Sequence, residues 1–274
     1  METKSILITG CSSGIGWCSA LGLKNRGWQV FATARSDRDL ERLEENGLTA
    51  IRLDYADSHT IASCADTVLG QTNGKLTALY NNGAYGQPGA VEDISTDVLR
   101  RQFETNLFGW HELTIRIIPE MRKNATGRIV NCSSVLGLVA MKYRGAYCAS
   151  KFALEGLTDT LRLELRESGI FVSLIEPGPI RSQFLNSAHR AFTENVDIDS
   201  SHHSDKYQER LKQFDDGGSS FFKLEPEAVL QKLIHAIESR KPRDRYFVTT
   251  PTYAMAMLKR TLPSRTLDAI LSRG

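Results

Sequence analysis

Tyr147 and Lys151 stand four residues apart at the head of a long helical pattern, in the stretch Y-C-A-S-K. On an α-helix that spacing sets two side chains on one face, one turn apart. Two polar tips on an amphipathic face would read the same way. The chemical alternative is an ammonium that favours its neighbour's phenolate, since a nearby cation lowers a phenol's pKa from about 10. A tyrosine tuned in this way can exchange protons near neutrality. A second stretch with chemistry in its spacing is Thr9-G-C-S-S-G-I-Gly16. Glycines at 10, 14 and 16 let a chain turn tightly and bring backbone close to a phosphate at a helix N-terminus. A glycine-rich turn alone is a weak signal, but this one lies between a strand-like and a helical run, where a dinucleotide requires it.

Those groups need a frame. SILIT (5–9), WQVFAT (28–33), LTAIRL (48–53), LTALYN (76–81), GRIVNCS (127–133) and IFVSLIE (170–176) read as strands. Helical patterns lie between them, near 14–26, 37–46, 58–73, 97–123 and 147–168. Several strands are continuously apolar, as strands covered on both faces are. Strand–helix alternation of this kind predicts a parallel, doubly wound α/β sheet. Residues 183–224 are polar and uneven, which predicts an irregular lid near the carboxyl ends of the strands. A helix near 225–239, a strand at 245–249 and an apolar, basic tail at 250–274 follow.

The bulk composition excludes several classes. With 274 residues, 41% hydrophobic and 24% charged, the chain has a globular profile. A formal net charge of +2 from 34 basic and 32 acidic residues argues against nucleic acid as the main partner. The apolar runs are too short to span a bilayer. The opening METKSILITG runs straight into a strand, so no secretory leader is expected. Five cysteines without paired spacing fit a reducing cytoplasm. His189, His202 and His203 lack zinc-type spacing, so no metal is expected. The cluster R-K-P-R-D-R (240–245) reads as a charged turn.

The T-G-x-x-x-G-I-G loop, N-N-G-A at 81–84, Asn106, Ser134, the Tyr147/Lys151 pair and Pro177-Gly178 follow in order from residue 5 to about 182. Together they resemble the short-chain dehydrogenase/reductases. E-P-G-P-I (176–180) and C-A-S-K-F-A-L-E-G (148–156) bring the chain nearest the branch holding 17β-hydroxysteroid dehydrogenases, retinol dehydrogenases and bacterial NADP-dependent aldehyde reductases. The resemblance implies one Rossmann-type catalytic domain over 1–274. It implies Tyr147 as general acid/base beside Lys151, and Ser134 rather than Ser133 as donor to the substrate oxygen. Asn106 would hold a water for a proton relay past the lysine. On the cofactor side it implies Gly10, Ser12, Ser13, Gly14, Ile15 and Gly16 at the glycine loop, and Asp54 and Tyr55 at the adenine. Asn81 would end the fourth strand with Gly83 and Ala84 just after it, and Pro177, Gly178, Ile180 and Ser182 would lie at the nicotinamide end. Tyr147 and Lys151 belong to the cofactor set as well. One departure stands out: Gly83-Ala84 inverts the family's Ala-Gly order, and alanine resists positive φ.

The second strand ends F-A-T-A-R (31–35), with no acid at its tip to bind ribose hydroxyls. An acid would repel a 2′-phosphate, whereas an arginine offers it a bidentate donor. Arg35, with Ser12 and Arg38 as further donors, points to NADP(H). Phe184, Leu185, Phe192, Phe214, Phe221, Phe222 and Leu224 in the lid, with Val139, Met141 and Tyr143, suggest an apolar carbonyl or alcohol as substrate. Surplus apolar positions on the helix at 147–168 predict at least a homodimer, and the resemblance implies a dimer or tetramer in which this helix and the one at 97–123 pair with their copies. The tail could touch a membrane surface weakly, but packing over the substrate site is the more economical reading.

Overall fold

The apolar runs become seven strands: β1 (Ser5–Ile8), β2 (Gln29–Ala34), β3 (Thr49–Arg52), β4 (Ala78–Asn81), β5 (Gly127–Cys132), β6 (Ile170–Glu176) and β7 (Arg245–Phe247). The structure, a computed structural model, describes residues 4–215 and 223–272. The strands form one parallel sheet in the order β3-β2-β1-β4-β5-β6-β7. All four residues of β1 are buried, with Leu7 in register with Phe31 on one side and Leu79 on the other. The chain's progress across the sheet reverses between β1 and β4. At such a switch point the loops leaving the strands part, and a crevice opens at their carboxyl ends.

The helices are α1 (Gly14–Asn25), α2 (Asp37–Glu45), α3 (Ser58–Gln71), α4 (Thr96–Phe103), α5 (Gly109–Lys123), α6 (Gly145–Glu164), α7 (Phe184–Asn195), α8 (Ser204–Asp215), α9 (Glu227–Glu238), α10 (Thr250–Thr261) and α11 (Ser264–Leu271). Side chains of Ser36, Asp57 and Ser95 cap α2, α3 and α4 by accepting from Asp39 N, His59 N and Val98 N. No helix among the described residues is long and apolar enough to cross a membrane.

Two expectations change. The helix expected over 97–123 is interrupted by a π-helical turn, Glu104–Phe108, that joins α4 to α5 and carries Asn106. The stretch expected to be an irregular lid contains α7 and α8. Ala188, Ala191 and Phe192 form the buried side of α7, at helical spacing that its Ser, His and Asn neighbours obscure. With Ala90, Val196 and Tyr207, Phe192 builds a small second core apart from the sheet.

Candidate active site

β1 delivers the chain into the glycine loop at Thr9. Gly10 takes φ +69° and Gly14 φ +55°, backbone states that L side chains rarely adopt. A Cβ on Gly10 would lie 2.5 Å from the Gly83 Cα, and one on Gly14 2.7 Å from the Ser182 Cβ. The loop therefore packs directly against the turn after β4 and the start of the lid. Gly16 is buried, while Ser12 and half-buried Ile15 flank the turn. Ser13 is the N-cap of α1 but makes no side-chain capping bond. The first N–H groups of α1 thus remain available to an anion, so the loop fits a dinucleotide pyrophosphate.

Thr9 fastens the two loops. Its hydroxyl oxygen accepts from Asn82 N (2.9 Å) and Gly83 N (3.1 Å) and lies 2.9 Å from Tyr55 Oη. Asn82 returns a side-chain bond to the Thr9 carbonyl at 3.0 Å. Asn81 lies inside the sheet: it donates to Thr114 Oγ1 and Asn131 Oδ1 and accepts from Tyr55 Oη. The inverted Gly83-Ala84 order carries no strain. The non-glycine residues with positive φ among those described are Asn73, Ala125 and Tyr143.

At the far end of the loop, Arg35 is exposed just past β2, as is Arg38. Arg52 donates to the Arg35 carbonyl and pairs with Asp37. Arg42, absent from the candidates, donates to the Ser12 carbonyl and lies 4.4 Å over the Trp17 ring. Asp54 accepts from Ala56 N at 3.0 Å, a turn after β3, with half its carboxylate left to other partners.

Ser134, Tyr147 and Lys151, the groups expected to react, meet at the carboxyl end of β5. Ser134 leads a 3-10 turn, Val135–Gly137, and its hydroxyl accepts from Leu136 N at 3.1 Å. Tyr147 lies within hydrogen-bonding reach of that hydroxyl. Ser133 is buried and abuts the space shared by Gly137 and Glu155, away from Tyr147. Lys151, 1% exposed, donates to the Cys132 carbonyl at 2.8 Å. Its ammonium stands 5.8 Å from the Tyr147 ring centroid. Burial pushes the Tyr147 phenol up, opposed first by the Ser134 hydroxyl and more weakly by Arg144. Burial pulls the Lys151 ammonium down to about 8, opposed by Cys132 and Glu155. The chief lowering influence on the phenol is therefore Ser134, where helix spacing pointed to Lys151.

Asn106 is wholly buried in the π-helical turn. It donates to the Tyr85 carbonyl (2.9 Å) and to Ser150 Oγ (3.3 Å), and accepts from Tyr85 N (3.2 Å). Its side chain clamps the loop after β4. Turns of this kind also leave backbone groups outside the regular helix ladder.

The corner after β6 is fixed on two sides. Val135 N donates to the Pro177 carbonyl at 2.8 Å, and Ile180 bridges to Leu224. Gly178 faces the Thr249 and Thr252 hydroxyls. Ser182 Oγ accepts from Phe184 N at 3.4 Å. Phe184 then stacks edge-on against Tyr147 with centroids 5.4 Å apart. Phe192 and Tyr143, expected at the substrate, belong instead to the second core, where both rings meet Tyr207 edge-on. Phe221 and Phe222 lie outside the described residues.

Among the described residues no group of three or more His, Cys, Asp or Glu side chains could hold a metal ion. His203 sits half-buried against Tyr143 and pairs with Glu92 at 2.7 Å. Arg245, expected in a charged turn, turns inward to Glu155, Asp159 and Glu176.

Known proteins share this arrangement. The profile of the family described as short chain dehydrogenase matches residues 4–192. An uncharacterized oxidoreductase, YbbO, of Escherichia coli K12 is 46% identical over 268 residues, covering 98% of this chain and 94% of its own. Human 17-beta-hydroxysteroid dehydrogenase type 1 is 31% identical over 265 residues, covering 91% and 78%. The crystal structure of a short-chain dehydrogenase from Streptomyces avermitilis superposes with a TM-score of 0.78 at 28% identity, covering 99% of this chain and 98% of that one. The chain belongs to the short-chain dehydrogenase family.

Proposed function

We propose that the protein is an NADP(H)-dependent oxidoreductase that interconverts an apolar aldehyde or ketone with its alcohol. The observation that carries this reading is the juxtaposition of Tyr147, Ser134 and buried Lys151 at the carboxyl end of β5, the strand beside β4 at the switch point. A nicotinamide held there would supply the hydride to the carbonyl carbon, or take it in the reverse direction. The Ser134 hydroxyl donates to the carbonyl oxygen, and Tyr147 Oη gives that oxygen its proton as negative charge develops. The Lys151 ammonium favours the phenolate left behind. Phe184 covers Tyr147 and excludes water from the reacting face. Asn106 sets the Tyr85 loop, and its π-helical turn suits the relay of a proton past Lys151.

The missing acid at the tip of β2 and the presence of Arg35 favour the 2′-phosphate cofactor, with Arg42 bringing a second guanidinium to the rim of the loop. Ser12, Ser13, Gly14 and Ile15 would present backbone to the pyrophosphate, and Ile180 N–H would hold the carboxamide. Apolar cover from Phe184 supports a neutral apolar substrate, as does the likeness to a hydroxysteroid dehydrogenase. We read 1–274 as one domain and assign it to the cytoplasm, where its five free thiols would persist. The tail is read as folded back rather than as an anchor: α10 packs against the 3-10 turn after Ser134, and Lys142 donates to the Ser272 carbonyl at 2.8 Å. Following NADPH absorbance across a panel of carbonyls tests the reading. Efficiency should rise with apolar size, chiefly through KM; preference for a phosphorylated or carboxylated compound of similar size would refute it.

A further inference from the structure

Trp110 leads the wholly buried side chains in size and sits one residue into α5. A helical pattern alone makes it core. Its surroundings are not those of an ordinary core ring. The indole Nε1 donates to the Gly83 carbonyl at 2.8 Å, in the turn that packs on the glycine loop. The Tyr55 ring stands 6.0 Å away, tilted at 42°. On the indole's face, 4.3 Å from the centroid, lies the Lys151 ammonium.

An ammonium carries three donors and loses its hydration when buried. One donor of Lys151 is taken by the Cys132 carbonyl. An aromatic face turned to a desolvated cation offers the negative potential that water would otherwise provide, and indole is the strongest of the aromatic rings in this respect. A leucine would fill the space without that field. The bond to Gly83 also stops the ring from rotating, so its face stays under the lysine.

We propose that Trp110 is a positioning residue for the reaction, its π face holding the Lys151 ammonium charged and aimed along α6 at Tyr147. The inference rests on the oxidoreductase reading only for its kinetic consequence. The titratable groups around the ammonium are Tyr147 and Glu155 on α6 and Cys132 on β5, the last beside Tyr80. Of these, Glu155 and Cys132 favour the charged lysine, and neither stands where the ring does. Asn106, from the π-helical turn, is neutral.

The test is a ¹³Cε-lysine titration of the cofactor-free protein, with the Lys151 signal identified by its loss in Lys151→Met. Mono-, di- and trifluorotryptophan placed at position 110 keep the ring's shape while draining its π face. The Lys151 midpoint should fall stepwise through that series. Complete loss of the cation–π contact corresponds to a downward shift of roughly 0.4 to 1.5 pH units. Trp110→Phe should keep part of the effect and Trp110→Leu the least. In turnover assays the alkaline limb of the kcat profile should move to lower pH in the same order. A midpoint unmoved by fluorination overturns the inference, whatever the enzyme reduces. Failure of the wild-type chain to reduce any carbonyl would overturn the proposed reaction instead, and the titration would still decide the role of Trp110.

Discussion

In the proposed reaction, Tyr147 and Arg35 are the two positions where a single side chain would separate catalysis from binding. Tyr147→Phe keeps the ring that packs against Phe184 and removes the proton donor. Turnover should fall by about 10²–10⁴-fold with folding and NADPH binding intact; retention of wild-type rate would sink the mechanism. Arg35→Ala should weaken NADPH far more than NADH, since a hydrogen bond to a charged group contributes roughly 1.5–3 kcal/mol, or about one to two decades in affinity. Equal losses, measured by titrating each cofactor, would make Arg35 a structural residue. Tyr147 and Lys151 were legible because one helix sets their spacing. Arg42 and Trp110 were not, because their partners (Ser12 and Lys151) come from other elements, and no local pattern marks such contacts.

At the scale of elements, the seven strands and the long helices followed from apolar runs and hydrophobic period, since the packing of helices on the sheet sets both. The π-helical turn escaped because an extra residue in one turn shifts the apolar stripe without erasing it. The charged run before β7 misled for a related reason: five of its residues look solvated, and Arg245 alone turns in. There, one guanidinium meets Glu155, Asp159 and Glu176, with Arg162 on the outer side of Asp159. Burial, and then the Glu155 charge, raise the Glu176 carboxyl well above its ordinary range near 4.5. The sign of the linkage follows. As pH climbs past that range the unfolded chain releases this proton while the folded one keeps it, so stability falls until the folded group ionises too. Glu176→Gln mimics the protonated acid in both states and removes that decline. Urea denaturation from acid to neutral pH should show the variant gaining on wild type, by at most about 1.4 kcal/mol per pH unit. Parallel curves would mean that Glu176 is ionised in the folded protein throughout.

Over the whole molecule, the sheet and its switch point were readable, and the surface of α5 and α6 continues the argument. Ile115 is 48% exposed and Leu163 68% exposed, with Phe108, Phe152 and Leu157 also open to solvent. Stripes of this size call for a cover, and a second copy of the same helices would supply one through a two-fold axis. Light scattering at micromolar concentration should give a dimer or tetramer; a monomer would leave the stripe unexplained.

The small second core around Tyr207 has a thermal consequence. Ala90, Phe192, Val196 and Tyr207 bury one another without joining the sheet, and Asp93 and Ser201 tie their polar edge. A block with so little buried surface is a separate cooperative unit that melts ahead of its support. Because α7 begins at Phe184, melting this block strips Tyr147 of its cover while Ser134 and Lys151 stay where β5 and α6 put them. Warming should therefore silence the enzyme some degrees before the sheet unfolds, with only the α7 and α8 share of the helical circular dichroism lost, and cooling should restore it without refolding of the sheet. Hydrogen exchange should release the amides of α7 and α8 at that lower temperature, with β1, β4 and β5 still protected.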